Sequence, residues 1–293
     1  MAPRRCAQPV VLALAALACA ACDAGHPDGG ARPSPDAASA DSPPLDYARR
    51  LFVTPQMAAC DETAPAPARL RLVTWNMHAA LSSSVETVAE VLAGLDADIL
   101  LLQEVDVFTY RGGMVDQPRR LAEILGYEYV FAAALPWDGG EFGLAILSRL
   151  RFADIGRIWL DGEVTSEQRM GLVATLCRGR QAIQVVNHHA DIFPDGATQN
   201  MKQLVAVLGD AIGQGLIFGG DLNGEGSSPV VDVLVDSGLS DLVKPYDPSA
   251  THGGRRLDYV LADVVLQPAA VAGEVVPTTA SDHRPVVVDF VFE

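Results

Sequence analysis

Short apolar runs alternate with amphipathic segments along the chain from residue 70 onward. The run from Asp98 to Glu104 holds four consecutive apolar residues before a polar end, which is the pattern of a buried strand. Apolar spacings of three and four predict helices after residues 82–84, over 118–125 and 229–237, and in a segment that Asp195 caps. Strands are predicted at residues 70–76, 98–104, 128–134, 143–148, 152–160, 171–177, 182–188, 215–220, 256–261, 264–266 and 284–290.

The predicted strands outnumber the helices and are interleaved with them. Because sheets and helices both have an apolar face to bury, we predict an α+β fold, a four-layer α/β/β/α sandwich of two packed mixed sheets flanked by helices. The length of 293 residues suits one large domain with an appendage, and we place the domain at residues 68–293. Polar clusters recur at the predicted strand ends, so this sandwich would gather them at one rim.

Residues 1–22 have the pattern of an export signal. Arg4 and Arg5 precede an apolar run at residues 9–21, which is too short to span a bilayer comfortably and ends in small residues. Small residues directly before Cys22 resemble a bacterial lipobox, with Cys19 where leucine is usual. We predict that Cys22 is the lipidated first residue of an exported protein anchored in the cell envelope. The alternative is an ordinary cleaved signal and a released protein.

Residues 23–67 have the composition of a flexible tether. They are rich in Ala, Pro, Asp, Gly and Ser and show no sustained apolar period, so they bury too little surface to offset the entropy of ordering. Residues 45–57 within this segment could form a short helix that packs on the domain. Cys60 and Cys177 are the cysteines left in the mature domain, and they could pair in an oxidising compartment.

The charge balance argues against a broad grip on nucleic acid. The formal net charge is −16, and Lys202 and Lys244 are the only lysines, whereas proteins that coat DNA carry extensive basic surface. The single Cys-x-x-Cys, Cys19 to Cys22, lies in the export signal, so a zinc site is not expected. The sequence has no G-x-S-x-G, G-x-x-x-x-G-K-[ST] or G-x-G-x-x-G, which leaves nucleophile-elbow and nucleotide-loop chemistry unsupported.

Six polar clusters lie at the ends of predicted strands. They are Thr74-Trp75-Asn76, Gln103-Glu104, Asn187-His188-His189, Gly219-Gly220-Asp221-Leu222-Asn223, Arg256-Leu257-Asp258-Tyr259 and Ser281-Asp282-His283-Arg284-Pro285. In this order they resemble the endonuclease/exonuclease/phosphatase superfamily, which includes pancreatic-type deoxyribonucleases, abasic-site endonucleases, neutral sphingomyelinases and inositol-polyphosphate phosphatases. Residues 143–149 are also similar to a strand of this family. The resemblance covers residues 70–290 and implies that residues 68–293 are a catalytic domain.

The resemblance implies a divalent-metal site with Glu104 as its principal ligand. A carboxylate at the end of a buried strand is a hard oxygen ligand that suits Mg²⁺, with Mn²⁺ as a second option. Asn76 would assist the metal or hold Glu104, and Asp282 would lie near the metal. Taken alone, Glu104 reads as a strand-end charge facing solvent and Asn76 as a turn residue. His78 lies near the site by position, and its function is left open.

Asp221 and Asn223 follow a Gly-Gly pair on one side of an extended segment. The resemblance implies that Asp221 orients or deprotonates the attacking water and that Asn223 holds a phosphate oxygen. The alternative from the residues alone is an Asx turn that leads into the next helix.

The histidines and one arginine complete the implied site. His283 would bind the scissile phosphate or act as a base, with Asp258 fixing its tautomer. His189 would stabilise the phosphate or assist the leaving group, although His188 could carry some of this role. Arg169 matches a position where the family often has arginine and would neutralise phosphate charge, with a plain surface residue as the alternative.

The resemblance implies a divalent-metal-dependent phosphoesterase, a phosphodiesterase or nuclease-like hydrolase that uses in-line attack of water on phosphorus. The alternative is a catalytically silent, envelope-tethered ligand-binding module of the same fold. The expected substrate is a nucleic acid, a phospholipid head group or a phosphorylated metabolite. Acidity argues mildly against long duplex DNA, and a membrane anchor argues mildly for substrates near the envelope. We expect a monomer.

Overall fold

Two β-sheets packed face to face form the centre of the molecule. The computed structural model describes residues 50–61, 63–161 and 167–293. Its strands are β1 (Phe52–Val53), β2 (Arg69–Asn76), β3 (Ile99–Val107), β4 (Glu128–Trp137), β5 (Gly140–Ser148), β6 (Phe152–Trp159), β7 (Met170–Arg178), β8 (Gln181–His189), β9 (Leu216–Asp221), β10 (Ser240–Asp241), β11 (Asp258–Ala262), β12 (Ala270–Val275) and β13 (Val286–Val291). Its α-helices are α1 (Val85–Leu95), α2 (Gln117–Leu125), α3 (Pro194–Leu208) and α4 (Pro229–Asp236).

Each sheet is mixed, and each carries helices on its outer face. The first sheet has the order β1-β4-β5-β3-β2-β13-β12, and the second has the order β10-β11-β9-β8-β7-β6. Side chains alternate across β2, so Leu72 packs between the sheets while Val73 packs under α1 with Leu92. On the second sheet, Phe218 packs outward against Leu204 of α3. This arrangement confirms the predicted α/β/β/α sandwich.

Two predicted element positions are wrong, and one strand was not predicted. Residues 264–266 form a turn instead of a strand, because Asp263 Oδ1 accepts the backbone N–H groups of Val265 and Leu266 and holds the chain in a bend. Strand β12, which pairs with β13 at the edge of the first sheet, was not predicted, because Gly273 and Glu274 interrupt its apolar residues. Helix α3 begins at Pro194, whose fixed φ suits a first helical turn, so Asp195 lies inside the helix instead of capping it.

The described part of the predicted tether lies on the domain. β1 pairs with β4, so Phe52 lies opposite Ala132, and this strand replaces the helix proposed within residues 45–57. Cys60 and Cys177 form a disulfide, which confirms their pairing. The prediction of a flexible tether is therefore wrong for residues 50–61 and 63–67, because strand pairing and a covalent bond offset the entropy of ordering.

The export signal, Cys22 and the rest of the tether lie outside the described residues. Within the described residues, no helix combines the length and apolar character needed to cross a bilayer. The described strands pair into two sheets, and both sheets belong to a single compact unit. A chain from Ser42 to Glu293, which contains all the described residues, is therefore expected to fold by itself.

Candidate active site

The polar clusters meet because the strands that carry them end side by side. β2 and β3 are parallel, and Asn76 lies opposite Gln103. In the other sheet, parallel β8 and β9 place His189 opposite Asp221, while antiparallel β11 places Asp258 opposite the same Asp221. Since the carboxyl ends of parallel strands share one edge of a sheet, the two sheets present their polar ends at one rim.

Glu104 lies in an irregularity of β3, where the register against β5 shifts between Leu102 and Val105. Its φ of 53° is left-handed and interrupts the alternation of side chains along the strand. The amide nitrogen of Asn76 lies 3.0 Å from Glu104 Oε1 and 3.0 Å from Asp221 Oδ2, so Asn76 donates to both carboxylates. The resemblance implies that Asn76 either assists the metal or holds Glu104. In this structure Asn76 holds Glu104.

Asp221 is the buried centre of the site. Burial, followed by the negative charge of Asp258, raises the pKa of the Asp221 carboxyl to about 7, although His283 opposes the shift. Asp221 Oδ1 accepts a hydrogen bond from the Asn223 backbone N at 2.9 Å, so the Asx turn is present. The Asn223 side-chain nitrogen donates to the Ala190 carbonyl at 3.0 Å. Asn223 therefore ties together the loops that leave β8 and β9.

His283 is held in one orientation by a buried carboxylate. Its Nδ1 lies 2.8 Å from Asp258 Oδ2, which leaves Nε2 directed to Asp221 Oδ2 at 3.6 Å. The indole nitrogen of Trp75 donates to the His283 carbonyl at 3.0 Å and fixes the backbone. Burial by itself lowers the pKa of His283, but the hydrogen bond and charge of Asp258, with the charge of Asp221, raise it to about 9. His283 is therefore cationic at neutral pH.

The two adjacent histidines point to opposite faces of the second sheet. His189 faces the site, and its Nε2 lies 3.7 Å from Asp221 Oδ2. His188 faces the helices, where Nδ1 lies 2.8 Å from the Met170 carbonyl and the ring packs near Phe218. Burial lowers the pKa of His189 well below its usual range and the pKa of His188 to about 3, so both rings are neutral. The geometry brings only His189 of this pair to the site.

Arg169 is a buried cation beside His189. Its Nη2 pairs with Glu167 Oε2 at 2.8 Å, while its Nε has no hydrogen-bond partner among the described residues. A buried guanidinium with an unpaired nitrogen is suited to bind an anionic ligand. The alternative prediction, that Arg169 is a plain surface residue, is wrong because its side chain is buried. It borders a small, partly open cavity lined by Ala134, Phe142, Gly143, Leu144, Gln168, Arg169, Met170 and His189.

Asp282 occupies the solvent side of the site between two histidines. Its carboxylate lies 3.6 Å from His78 Nδ1 and 3.9 Å from His252 Nδ1. The His252 ring stacks on His283, with ring centroids 4.3 Å apart. The His78 backbone N donates to Asn76 Oδ1 at 3.1 Å, which connects this outer group to the carboxylates.

Sequence reasoning gave no role to His252 or to the amides beneath the site. The sequence signal for His252 is that it closely precedes the cluster that contains Asp258. In the structure, the neighbouring Thr251 Oγ1 accepts the Asp258 backbone N–H at 3.2 Å. Below the carboxylates, Gln103 Nε2 donates to Asn187 Oδ1 at 2.7 Å and joins the two sheets. These amides fix the separation of the rim residues.

The donor chemistry of this rim fits a hard divalent cation. The carboxylates of Glu104 and Asp221 approach the same Asn76 nitrogen, and the buried Asp258 adds a third carboxylate nearby. Burial and the charge of Asp258 both raise the pKa of the Asp221 carboxyl, and a bound cation would favour its ionised form. Oxygen donors with excess negative charge are what Mg²⁺ and Mn²⁺ require.

A profile of the Endonuclease/Exonuclease/phosphatase family matches residues 73–283. The chain belongs to this family. The matched region contains all the residues predicted for catalysis, metal binding and phosphate binding, from Asn76 to His283. Comparison with curated proteins finds no significant match.

Solved structures share the fold of this family member. An endonuclease/exonuclease/phosphatase from Beutenbergia cavernae is 25% identical with a TM-score of 0.62, covering 77% of this chain and 72% of that chain. A mannosyl-6-phosphatase from Bacteroides thetaiotaomicron is 19% identical with a TM-score of 0.62, covering 76% of this chain and all of its own. The human Nocturnin catalytic domain with bound sulfate is 22% identical with a TM-score of 0.61, covering 86% of this chain and all of its own.

The opposite orientations of the two histidines give different expected phenotypes. His189→Gln is expected to lower kcat for bis-p-nitrophenyl phosphate by about 10²-fold or more, because it removes an imidazole that faces Asp221. His188→Gln is expected to keep kcat within about twofold while lowering Tm, because a buried imidazole is lost from the helix-facing core. Steady-state kinetics and thermal melts of both variants check this, and a larger rate loss in His188→Gln would contradict it.

Proposed function

We propose that this family member is a divalent-metal-dependent phosphodiesterase that hydrolyses its substrate by in-line attack of water on phosphorus. The convergence of Glu104, Asp221 and Asp258 with His189 and His283 at one rim carries the proposal. The family itself supports a hydrolase that acts on phosphoester bonds. Metal dependence and the diester preference are the parts that we add.

The residues divide between holding a cation, holding phosphate and moving a proton. Glu104, held by Asn76, would together with Asp282 hold Mg²⁺ or Mn²⁺, which when bound neutralises phosphate charge and polarises the phosphorus. Asp221, whose pKa is raised to about 7, is suited to accept the proton of the attacking water near neutral pH. His283 in its cationic form would bind a nonbridging phosphate oxygen.

Arg169 and His189 would serve the opposite side of the phosphate. The guanidinium of Arg169 has an unpaired Nε at the cavity wall, which supports a contact with a phosphate oxygen. His189 is neutral, so it can donate one hydrogen bond to a phosphate or leaving-group oxygen. Asn223 bonds Ala190 through its side chain, which supports a positioning role in addition to the phosphate contact implied earlier.

The cellular setting remains a proposal based mainly on sequence. The Cys60–Cys177 disulfide supports export, because disulfides persist in oxidising compartments. We propose an envelope protein that is anchored through lipidated Cys22 and acts as a monomer on a nucleic acid, a phospholipid head group or a phosphorylated metabolite. The bound sulfate in the Nocturnin structure and the phosphatase name of the Bacteroides protein support an anionic phosphoester substrate.

The metal requirement gives a direct test. The chain from Ser42 to Glu293 is expected to hydrolyse bis-p-nitrophenyl phosphate with Mg²⁺ or Mn²⁺, to lose activity in EDTA and to regain it when metal is restored. Glu104→Gln is expected to lower kcat/KM by about 10²-fold or more and to raise the metal concentration for half-maximal rate, because a ligand charge is lost. Glu123→Gln, on the exposed face of α2, is the matched control and should leave both quantities unchanged.

The outcome also separates the enzyme from the binding module. A silent module would leave wild type and Glu104→Gln equally inert on diesters and on p-nitrophenyl phosphate, with every metal. Tight binding of substrate without turnover would then support ligand capture. The retention of all six polar clusters in mutual contact supports the enzyme instead.

A further inference from the structure

An apolar group is exposed in the loop that leaves β3 beyond Glu104. Residues 108–115 present Phe108, Tyr110 and Met114 to solvent, with Phe108 49% and Tyr110 71% exposed. Three large apolar side chains within seven residues form a patch, which soluble proteins usually limit or use for binding. Exposed aromatic residues of this kind are the side chains that favour a membrane interface.

Buried polar contacts brace this loop from below. Arg111 makes two hydrogen bonds to the fully buried Asp106 carboxylate, at 2.8 and 2.9 Å, and Thr109 Oγ1 donates to the same carboxylate at 2.7 Å. Phe108 and Met114 are held at φ 55° and 61°, left-handed values that cost energy for non-glycine residues. The loop therefore keeps its charged residues inside and its apolar residues outside, in a fixed shape.

A second exposed apolar group lies just after β8 of the other sheet, at the same rim. Ile192 and Phe193 are exposed, and they follow His189 by three and four residues at the start of α3. The loop after β3 also reaches the site, because Arg111 lies 5.4 Å from the ring centroid of Phe142, which lines the cavity beside His189. Each sheet thus contributes one apolar group next to its catalytic strand end.

Exposed carboxylates border both groups: Asp138 Oδ2 accepts the Arg111 backbone N–H at 2.6 Å, and Asp195 follows Phe193 by two residues. The chain has a net charge of −16, yet residues 107–115 contain no acidic residue. Between residues 188 and 194 the single acidic side chain, Asp191, is buried. The net charge and these bordering carboxylates repel anionic lipid, so an apolar rim in this setting suits a surface of zwitterionic head groups.

We propose that residues 108–115 and the Ile192–Phe193 pair form an interfacial surface that docks the site onto a zwitterionic lipid bilayer. Resting on the proposed function, this assigns the substrate to phosphoesters of lipid head groups. Apolar side chains on the rim enter the interface while the metal and phosphate groups face the head groups. The 27 residues from Asp23 to Arg49 that separate the predicted anchor from the described domain reach at most about 90 Å, which is enough for the rim to meet a membrane.

Vesicle binding tests the docking surface without any catalytic substitution. The chain from Ser42 to Glu293, which lacks the predicted signal and anchor, is expected to co-sediment with phosphatidylcholine vesicles. Phe108→Ser/Tyr110→Ser is expected to weaken partitioning by at least about tenfold, because two apolar side chains no longer leave water. Hydrolysis of soluble bis-p-nitrophenyl phosphate should be unchanged, since neither side chain is part of the catalytic site.

The matched control removes two exposed apolar side chains from the far end of the same domain. Asp258 pairs with Asp221 at the site end of β11, so Val264 and Val265 lie beyond the other end, and Val264 is 72% exposed. Val264→Ser/Val265→Ser is expected to bind vesicles as wild type does. Equal weakening by both double variants would overturn the proposal, as would absence of wild-type binding.

Two further measurements keep the outcomes distinct. Sedimentation velocity that shows a wild-type dimer and a Phe108→Ser/Tyr110→Ser monomer would assign the patch to self-association and overturn lipid docking. Soluble diester hydrolysis with no vesicle binding would sink only this inference. Vesicle binding by a protein inert on every soluble phosphoester would sink only the phosphodiesterase.

Discussion

Asp221→Asn is expected to lower kcat for bis-p-nitrophenyl phosphate by about 10³-fold. Asn76 Nδ2 lies 3.0 Å from Asp221 Oδ2, and the Nε2 atoms of His189 and His283 lie 3.7 and 3.6 Å from the same oxygen. An amide fills the same volume but accepts no proton and adds no charge for a cation. Steady-state kinetics with saturating Mg²⁺ measure the loss.

The same substitution is expected to stabilise the metal-free protein at high pH. The pKa of the Asp221 carboxyl rises from 3.8 to about 7 on folding, so the folded protein binds more protons than the unfolded chain between these values. The free energy of unfolding therefore falls as pH rises from about 4 to 7 and stays lower above pH 7. In EDTA at pH 8, Asp221→Asn should have a higher Tm than wild type.

Asp289→Asn serves as the control for both effects. Asp289 pairs with Arg71 near the start of β2, at the end of the sheet away from the site. Its kcat should match wild type, and its Tm in EDTA should not rise at pH 8. A wild-type rate in Asp221→Asn would remove Asp221 from the proposed chemistry, and a lower Tm in EDTA would show that its hydrogen bonds outweigh its buried charge.

Asp258→Asn is expected to reduce kcat by about 10²-fold and to move the alkaline limb of the pH–rate profile to lower pH. Asparagine can still accept from His283 Nδ1, but it lacks the negative charge that helps to raise the pKa of His283 to about 9. The cationic form of His283 would then be lost nearer its ordinary pKa. Rates measured from pH 5 to 10 test the displacement.

Titration of the His283 ring by NMR in EDTA tests the cause. In wild type, the raised pKa contributes stability that is fully present below pH 6.5 and is lost as pH rises through about 9. Asp258→Asn should remove this contribution together with the shift. Asp241→Asn, which breaks the pair with Arg256 near the same strand, is the control and should leave the His283 titration unchanged. A His283 pKa of about 9 in Asp258→Asn would contradict the assigned cause.

Local patterns were enough to predict most of the fold, and the resemblance of six polar clusters to a known family indicated which residues meet at the rim. Apolar periods of two and 3.6 reflect which face of an element is buried, so the sandwich could be predicted without long-range information. Polar residues at strand ends, such as Glu104 and Asp221, stood out because buried strands otherwise exclude charge. β12 was missed because Gly273 and Glu274 interrupt its short run of apolar residues.

Contacts distant in sequence were decided only by the tertiary structure. Strand register turned His189 to the site and His188 to the helices, which two adjacent letters cannot reveal. The stacking of His252 on His283 joins residues 31 positions apart, and the disulfide joins cysteines 117 positions apart. The sequence by itself therefore determined the fold and the kinds of groups at the rim. The tertiary structure decided their pairing, because distances and burial depend on how the two sheets pack.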